Sequence, residues 1–133
     1  MSLLVKTKLG HSNISGIGCF ADEFIPKGTK IWEYNSMIDR CYVDSDIRLM
    51  SDLEREFIHT YAYRHNGMLF LCVDNSRFFN HSDSPNTADP EGFATYASRD
   101  IEVGEEIVSD YYQMGTSDED SKFNIFPLTA KDK

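Results

Sequence analysis

The chain has 133 residues, and its 41% apolar content is enough to form one compact domain over residues 1–133. Its 13 basic and 22 acidic side chains give a net charge of −9, which argues against nucleic acid as a direct ligand and favours a basic protein or peptide as partner. No apolar run approaches the roughly 18 residues of a membrane span, so we expect no membrane contact.

Short strands and turns are predicted for the first third of the chain. The alternation of apolar and polar residues from Val5 to Leu9 predicts a strand. A loop with two glycines follows over residues 11–18, and Cys19–Ala21 returns to a strand. Pro26–Gly28 is predicted as a turn, and the β-rich run Thr29–Tyr34 as the next strand.

Near the middle of the chain, residues 45–59 are predicted to be helical. Ser51 and Glu54 have the spacing of a capping box. Four apolar residues recur there at near-helical spacing: Met50, Leu53, Phe57 and Tyr61.

The remainder of the chain is predicted to be strands. Asn66–Gly67 is a hairpin signal that would pair Tyr61–His65 with Met68–Val73. Phe93–Ala97 and Glu106–Tyr111 are predicted as later strands.

The sequence also contains an internal repeat. Two sets of four residues share a spacing of four, three and three: Ala21, Ile25, Gly28, Ile31 and Ala97, Ile101, Gly104, Ile107. An apolar residue before a turn, a glycine in the turn and a strand after it predict the same hairpin used twice.

Two segments carry the strongest functional signal: residues 77–87, RFFNHSDSPNT, and residues 104–112, GEEIVSDYY. Turn-forming residues account for Asp83–Asn86. They do not account for Phe78–Phe79, which runs directly into Asn80–His81. That junction predicts a buried aromatic anchor that delivers polar groups to an interior site.

Together these segments resemble the SET-domain protein lysine methyltransferases, whose signature motifs are an N-H-S-x-x-P-N loop and a G-E-E-[LI]-x-x-D-Y strand. The matching residues here are Asn80–Asn86 and Gly104–Tyr111. Gly16–Ala21, GIGCFA, matches the family's N-terminal G-x-G and Phe-Ala, although a G-x-G triplet alone is usually a turn. Asp83 departs from the family, which often has Cys or another small residue there, and we expect an effect on turn geometry.

The resemblance spans about residues 5–112 and implies a mainly β SET-domain (β-clip) fold. Such a fold has several small sheets, a short helical insert at about 39–66 that forms one wall of a peptide groove, and a C-terminal pseudoknot. Residues 113–133 would close the active site. The chain has none of the Cys-rich flanks of many eukaryotic members, so it resembles a bare SET domain.

The resemblance also implies a site. S-adenosyl-L-methionine would be the cofactor, bound by Gly16, Ile17, Gly18, Asn80, His81 and Tyr111. Tyr111 would be catalytic, with Tyr34 orienting the lysine. The substrate channel would contain Tyr34, Tyr112, Phe123 and Phe126. Asn86 would be structural, since it would tie the loop, and no metal is expected.

The function implied is transfer of a methyl group from S-adenosylmethionine to a lysine amine of a basic protein, histone-like or otherwise Lys-rich. The protein would then act in the cytoplasm, or in the nucleus (including that of a host) if the target is a histone. Mono-, di- and trimethylation and the oligomeric state stay open. A different class of function is a catalytically inactive SET-like module that binds a basic peptide.

Two further alternatives have weaker support in the sequence. A hydrolase could use Ser82 and His81, but neighbouring residues rarely face one another and no G-x-S-x-G elbow is present. A zinc site lacks the tight ligand spacing it needs among His11, His59, His65 and His81. The three cysteines are Cys19, Cys41 and Cys72. Their odd number and scattered spacing argue against disulfides and a zinc cluster and favour a reducing compartment.

Overall fold

Ten short strands and two helices make up residues 3–90 and 93–110, which are the part of the chain that the structure, a computed structural model, describes. The strands are β1 (Thr7–His11), β2 (Ile17–Ala21), β3 (Lys30–Glu33), β4 (Arg40–Tyr42), β5 (Tyr63–His65), β6 (Met68–Leu71), β7 (Asn80–His81), β8 (Thr87–Ala88), β9 (Ala94–Ala97) and β10 (Val108–Ser109). The helices are α1 (Asp44–Arg48) and α2 (Asp52–Tyr61), and a 3₁₀ turn spans Asn75–Phe78. The predicted mainly β fold is confirmed.

The strands are distributed over four small sheets. β1 and β2 form an antiparallel hairpin, and two antiparallel sheets have the orders β3-β9-β8 and β4-β6-β5. β7 and β10 form a parallel pair, in which Asn80 lies opposite Val108 and His81 opposite Ser109. The predicted C-terminal pseudoknot includes residues beyond Asp110, and it stays a prediction. The predicted closing segment, 113–133, lies outside the described residues.

The internal repeat is a pair of hairpins joined by reciprocal backbone hydrogen bonds. The N–H of Ile25 donates to the carbonyl of Ile101 at 2.9 Å, and the N–H of Ile101 donates back at 2.9 Å. Bonds on either side of this pair also recur with the two copies exchanged. Gly28 donates to the carbonyl of Ala97, in the second copy, and the corresponding bond runs from Gly104 to the carbonyl of Ala21, each at 2.8 Å. The predicted duplication is therefore present as a local two-fold arrangement.

The main core lies at this junction. Ten buried residues pack together, and six of the eight residues of the repeat are among them: Cys19, Ala21, Ile25, Ile31, Trp32, Cys72, Phe79, Ala97, Ile101 and Ile107. The other two residues of the repeat are Gly28 and Gly104, which provide the turn conformation instead of core packing. A second, smaller cluster lies under α2: Ile47, Ile58, Ala62, Leu69 and Leu71.

The helical character predicted for residues 45–59 is confirmed, and the structure divides this region into two helices. α1 ends at Arg48, and Ser51 is the N-cap of α2. Ser51 Oγ accepts from the N–H of Glu54 at 3.2 Å, and the Glu54 carboxylate accepts from the N–H of Ser51 at 3.0 Å. A capping box satisfies the free N–H groups of a first turn, so it begins a helix rather than sitting inside one. Leu53, which the helical spacing placed with the apolar residues, is 78% exposed.

The strands of the predicted hairpin form as expected, whereas some strand ends differ and the shortest strands were not predicted. β1 begins two residues later than the predicted Val5, and the pairing of β5 with β6 across Asn66–Gly67 is confirmed. Both turn residues have positive φ, 49° and 73°, as a type I′ hairpin requires. The short strands β4, β7 and β8 were not predicted, since two or three residues are too few for a periodic pattern.

We predict that the two glycines of the repeat are required by backbone conformation. Gly28 has φ of 88° and Gly104 has φ of 86°, and neither has an atom within 4 Å of the position a Cβ would take. Gly28→Ala and Gly104→Ala should therefore each lower the free energy of unfolding by about 1–2 kcal/mol through backbone strain alone. Urea denaturation of both variants measures this effect.

The matched controls for this prediction are Lys27→Ala and Val103→Ala, at the exposed positions that precede the two glycines. Each control should change the free energy of unfolding by less than about 0.5 kcal/mol. Glycine variants as stable as these controls would contradict the strain argument.

Candidate active site

The two phenylalanines before Asn80 form the anchor that the sequence predicts. Phe79 is buried in the main core, and Phe78 packs partly buried against it. The preceding 3₁₀ turn is capped by Asp74, whose carboxylate accepts from the N–H of Ser76 at 3.0 Å. Because the phenylalanine packing and the Asp74 cap both fix the chain, β7 enters the interior at a defined place and Asn80 is only 1% exposed.

The side chain of Asn80 joins the N-terminal loop to the strand before β10. Its Nδ2 donates to Glu106 Oε2 at 2.9 Å, to Ser12 Oγ at 3.1 Å and to the Ser15 carbonyl at 3.1 Å. The Ile17 carbonyl lies at 3.4 Å from the same nitrogen. We call these five residues the Asn80 network. It satisfies a buried amide, and it brings the predicted glycine loop and the predicted N-H-S loop together.

The two glycines of the G-x-G triplet are present for different reasons. Gly16 is exposed and has φ of 49°, and a Cβ there would meet no atom within 4 Å. Gly18 is buried, and a Cβ there would lie 2.6 Å from Glu106 Oε2 and 2.8 Å from its Cδ. Gly16 thus supplies backbone conformation and open space at the surface, while Gly18 makes room for a carboxylate inside the protein.

His81 lies between two aspartates. Its Nε2 is 3.0 Å from Asp83 Oδ1, and its Nδ1 is 3.8 Å from Asp110 Oδ1. The His81 side chain is 18% exposed, whereas that of Asp83 is 96% exposed. The aspartate at the position where the family often has a small residue therefore contacts the imidazole, in addition to any effect on the turn.

This geometry gives the hydrolase alternative no support. Ser82 Oγ accepts from the N–H of Ser84 at 3.0 Å, so the hydroxyl serves the turn. The ring of His81 faces Asp83 and Asp110. A serine nucleophile would instead need a histidine directed at its hydroxyl.

Asn86 has the structural role that the resemblance implies. It is fully buried, and its Oδ1 accepts from the N–H of Val108 at 2.9 Å. Its Nδ2 donates to the carbonyl of Glu106 at 2.8 Å. The far end of the N-H-S loop is thereby tied to the chain that leads into β10.

Tyr34 belongs to an aromatic cluster rather than to the Asn80 network. Its ring meets Phe70 edge-on at 5.3 Å and Phe93 at 6.1 Å, and its N–H donates to the Phe93 carbonyl at 2.8 Å. Phe70 also stacks on Tyr63 at 5.4 Å, and His65 meets Phe93 edge-on at 5.0 Å. The aromatic cluster therefore consists of these five rings, and contacts of this kind stabilise apolar surfaces.

Burial raises the pKa of both phenols of the aromatic cluster. Desolvation is the main cause that raises the pKa of Tyr34, with Cys41 and Asp39 nearby adding to it. Desolvation also strongly raises the pKa of Tyr63. Near neutral pH both hydroxyls are neutral groups that can orient a ligand through hydrogen bonds but cannot act as bases.

The structure gathers some of the predicted site residues and does not describe others. Gly16, Ile17, Gly18 and Asn80 lie together, and His81 follows Asn80 on β7. The remaining predicted residues lie outside the described ranges: Tyr111, Tyr112, Phe123 and Phe126. Their roles stay predictions.

Sequence reasoning missed most of the aromatic cluster and the place of Glu106. Tyr63, His65 and Phe70 lie on the predicted hairpin, but nothing in its alternation shows which face meets Tyr34. Glu106 belongs to the G-E-E motif, but the motif alone assigns it no role. A sequence signal for its role is an acidic residue in a strand that is predicted to be buried, because a buried carboxylate needs hydrogen-bond donors such as those of a nearby glycine-rich loop.

The described residues contain neither a cluster of metal ligands nor a helix that could span a membrane. Within 3–90 and 93–110, no group of three or more His, Cys, Asp or Glu side chains is placed to hold a metal ion. None of the helices in the same ranges is long and apolar enough to cross a membrane.

Comparison with known proteins identifies the family. The model of the SET-domain family matches residues 16–112. The crystal structure of a Plasmodium falciparum protein, described as a candidate histone methyltransferase, is similar at a TM-score of 0.57 and 21% identity, covering 82% of this chain and 95% of its own. That similarity shows the fold, and no curated protein matches the chain. Since the family model spans most of its length and includes both signature motifs, the chain belongs to the SET-domain family.

Proposed function

We propose that the protein is a lysine methyltransferase that uses S-adenosyl-L-methionine as methyl donor. The observation that carries the proposal is the Asn80 network, which joins the glycine loop to the N-H-S strand in a member of the SET-domain family. In that family these two segments form the cofactor site. Gly16, Ile17, Gly18, Asn80 and His81 are proposed to contact the cofactor, with Tyr111 beside them.

The described residues fit such a ligand. The position of a Cβ on Gly16 is open, so a ligand can approach the backbone there. Ile17 is 53% exposed and offers apolar surface beside that opening. His81 is partly accessible and lies between two carboxylates, which suit a ligand that carries an ammonium group.

The proposed chemistry asks little of the protein beyond placement and desolvation. S-adenosylmethionine supplies a methyl group that is already activated by its sulfonium. The chain must hold a lysine amine in line with that group and in its neutral form. Lysine has an unperturbed pKa of about 10.4, and an apolar channel lowers it.

The aromatic cluster is the described part of that channel. Its rings would surround the lysine stem, and the Tyr34 hydroxyl would orient the amine as a neutral hydrogen-bonding group. The amine proton would leave to solvent, because neither phenol is a base near neutral pH. Tyr111 is proposed as the catalytic tyrosine, and Tyr112, Phe123 and Phe126 as further parts of the channel.

The proposed substrate is a basic protein segment, histone-like or otherwise rich in lysine. The support is electrostatic, since a chain with net charge −9 attracts cationic partners and repels nucleic acid. The insert at about 39–66, with β4 and both helices, is proposed as one wall of the groove that receives this segment. The cytoplasm, or a nucleus for a histone target, is the proposed location.

The alternative of an inactive module that binds a basic peptide predicts binding without turnover. Incubation with labelled S-adenosylmethionine and a panel of basic proteins, read by mass spectrometry, separates the two. A mass increase of one or more methyl groups on lysine supports the enzyme. Peptide binding with no methylated product from any target supports the module.

We predict one binding site per chain for S-adenosylhomocysteine, the demethylated form of the cofactor, measured by calorimetry. His81→Ala should raise the Kd about tenfold, since it removes hydrogen bonds to a ligand while the fold is held by other residues. His59→Ala, in α2, is the matched control and should leave the Kd unchanged. Absence of binding at millimolar ligand in a folded sample would refute the proposal.

We also predict that two tyrosine hydroxyls act on the methyl-transfer step. Tyr111→Phe should lower kcat by roughly a hundredfold or more with little change in cofactor affinity, because the lost bond acts in the transition state. Tyr34→Phe should lower kcat/KM for the lysine substrate, while Tyr96→Phe, in β9 outside the aromatic cluster, should have no effect. Full activity in Tyr111→Phe would transfer the role to Tyr112 or remove it.

A further inference from the structure

Glu106 is the charged member of the Asn80 network, and it lies at a crossing of three segments. Its backbone forms an isolated bridge with Phe20, which places it beside β2. Its carboxylate accepts from Ser12 Oγ at 2.8 and 3.0 Å, and from Asn80 Nδ2 at 2.9 Å. One side chain therefore contacts the glycine loop and the N-H-S strand at the same time.

The carboxylate determines how the Ser12 hydroxyl is oriented. An ionised carboxylate only accepts, so the single hydroxyl proton of Ser12 is directed at Glu106. The two lone pairs of the Ser12 oxygen are then shared among three donors, the N–H of Ile14 at 2.9 Å, the N–H of Ser15 at 3.3 Å and Nδ2 of Asn80 at 3.1 Å. The turn that leads to Gly16 is thus held by a hydroxyl whose direction Glu106 fixes.

The same carboxylate orients the Asn80 amide. Because Glu106 presents an oxygen to it, the NH₂ end of the amide must face this side, and it also donates to the carbonyls of Ser15 and Ile17. If a neutral donor replaced the carboxylate oxygen, the NH₂ group of Asn80 would face another donor instead of an acceptor. Hydrogen bonds to an ionised acceptor are about twice as strong as neutral ones, which favours this arrangement over alternatives.

Gly18 is matched in size to the carboxylate. A Cβ on residue 18 would be 2.6 Å from Glu106 Oε2, and the next nearest atom outside that side chain is Ser12 Cβ at 3.1 Å. The glycine therefore allows Glu106 to lie directly against β2. Removing the Glu106 side chain should relieve most of the clash that a methyl group at residue 18 creates.

From these contacts we infer that Glu106 is a positioning residue: its carboxylate fixes Ser12 and Asn80 so that the loop over residues 12–18 is preformed for the cofactor. The inference rests on the proposed function, because the loop's ligand is the proposed S-adenosylmethionine. Glu106 would not touch the cofactor. Its effect would pass through Ser12 and Asn80 to the backbone of Gly16 and Ile17.

The test compares Glu106→Gln with Glu102→Gln, a change of the same kind at an exposed position on the same turn. Kd for S-adenosylhomocysteine is measured by calorimetry, and amide hydrogen exchange is measured without ligand. Glu106→Gln should raise the Kd about tenfold to a hundredfold and speed exchange of the Ile14 and Ser15 amides about tenfold. Glu102→Gln should change neither quantity.

A double-mutant cycle distinguishes positioning from a general loss of stability. Ser12→Ala removes the hydroxyl and leaves the carboxylate, so it should raise the Kd by a similar factor. Ser12→Ala combined with Glu106→Gln should be within about twofold of the larger single effect, because both break one network. Ser12→Ala also carries the test on its own if Glu106→Gln does not fold.

The size match provides a second arm. Gly18→Ala should speed exchange of the same loop amides in the parent protein, and combining it with Glu106→Ala should add no more than about twofold to the Glu106→Ala effect. Unchanged Kd and unchanged loop exchange in a folded Glu106→Gln protein would overturn the inference, as would additive effects in the cycle. If the parent protein binds no S-adenosylhomocysteine, the proposed function fails, while the exchange data still decide whether Glu106 holds the loop.

Discussion

The fold depends on the reciprocal backbone bonds between Ile25 and Ile101. Each sheet has only two or three strands of two to five residues, and sheets of that size are marginal by themselves in water. The two hairpins of the repeat bury each other's apolar residues around this pair, so they supply a common core to which the small sheets attach. The same junction brings β2 against the segment that contains Glu106. The contact that holds the fold together therefore also forms one side of the candidate site.

The candidate site is assembled from distant parts of the sequence. Ser12 and Asn80 are 68 positions apart, and Ser12 and Glu106 are 94 apart. The site is consequently complete only after most of the chain has folded, and contacts of such separation are slow to form. Burial makes this assembly demanding as well, since each polar group in the interior must find its partner or lose the free energy of a hydrogen bond.

Local patterns predicted the local parts of this structure. The Asn66–Gly67 hairpin, the capping box of Ser51 and the repeat were visible because each depends on residues close in sequence. The division of the helical region was not predicted, because the apolar pattern continues past Ser51 and the capping box alone marks the start of α2. The partners of Asn80 and Tyr34 could not be predicted, because a long-range contact is chosen by the packing of whole elements and leaves no period in the sequence. For the site, the resemblance located the segments, and the structure supplied the reason for Gly18.

The interlocked hairpins also have a consequence for how such a domain can change over generations. The core fixes the chain at Trp32 and again at Cys72, so the segment between these two residues is an insertion held at both ends. The entropy of closing a loop rises only with the logarithm of its length, and each doubling costs about 0.6 kcal/mol. The region that contains β4, α1 and α2 can therefore change in length or in its surface residues with little loss of stability in the core. The surface that this insertion presents can thus diverge while the core stays constant.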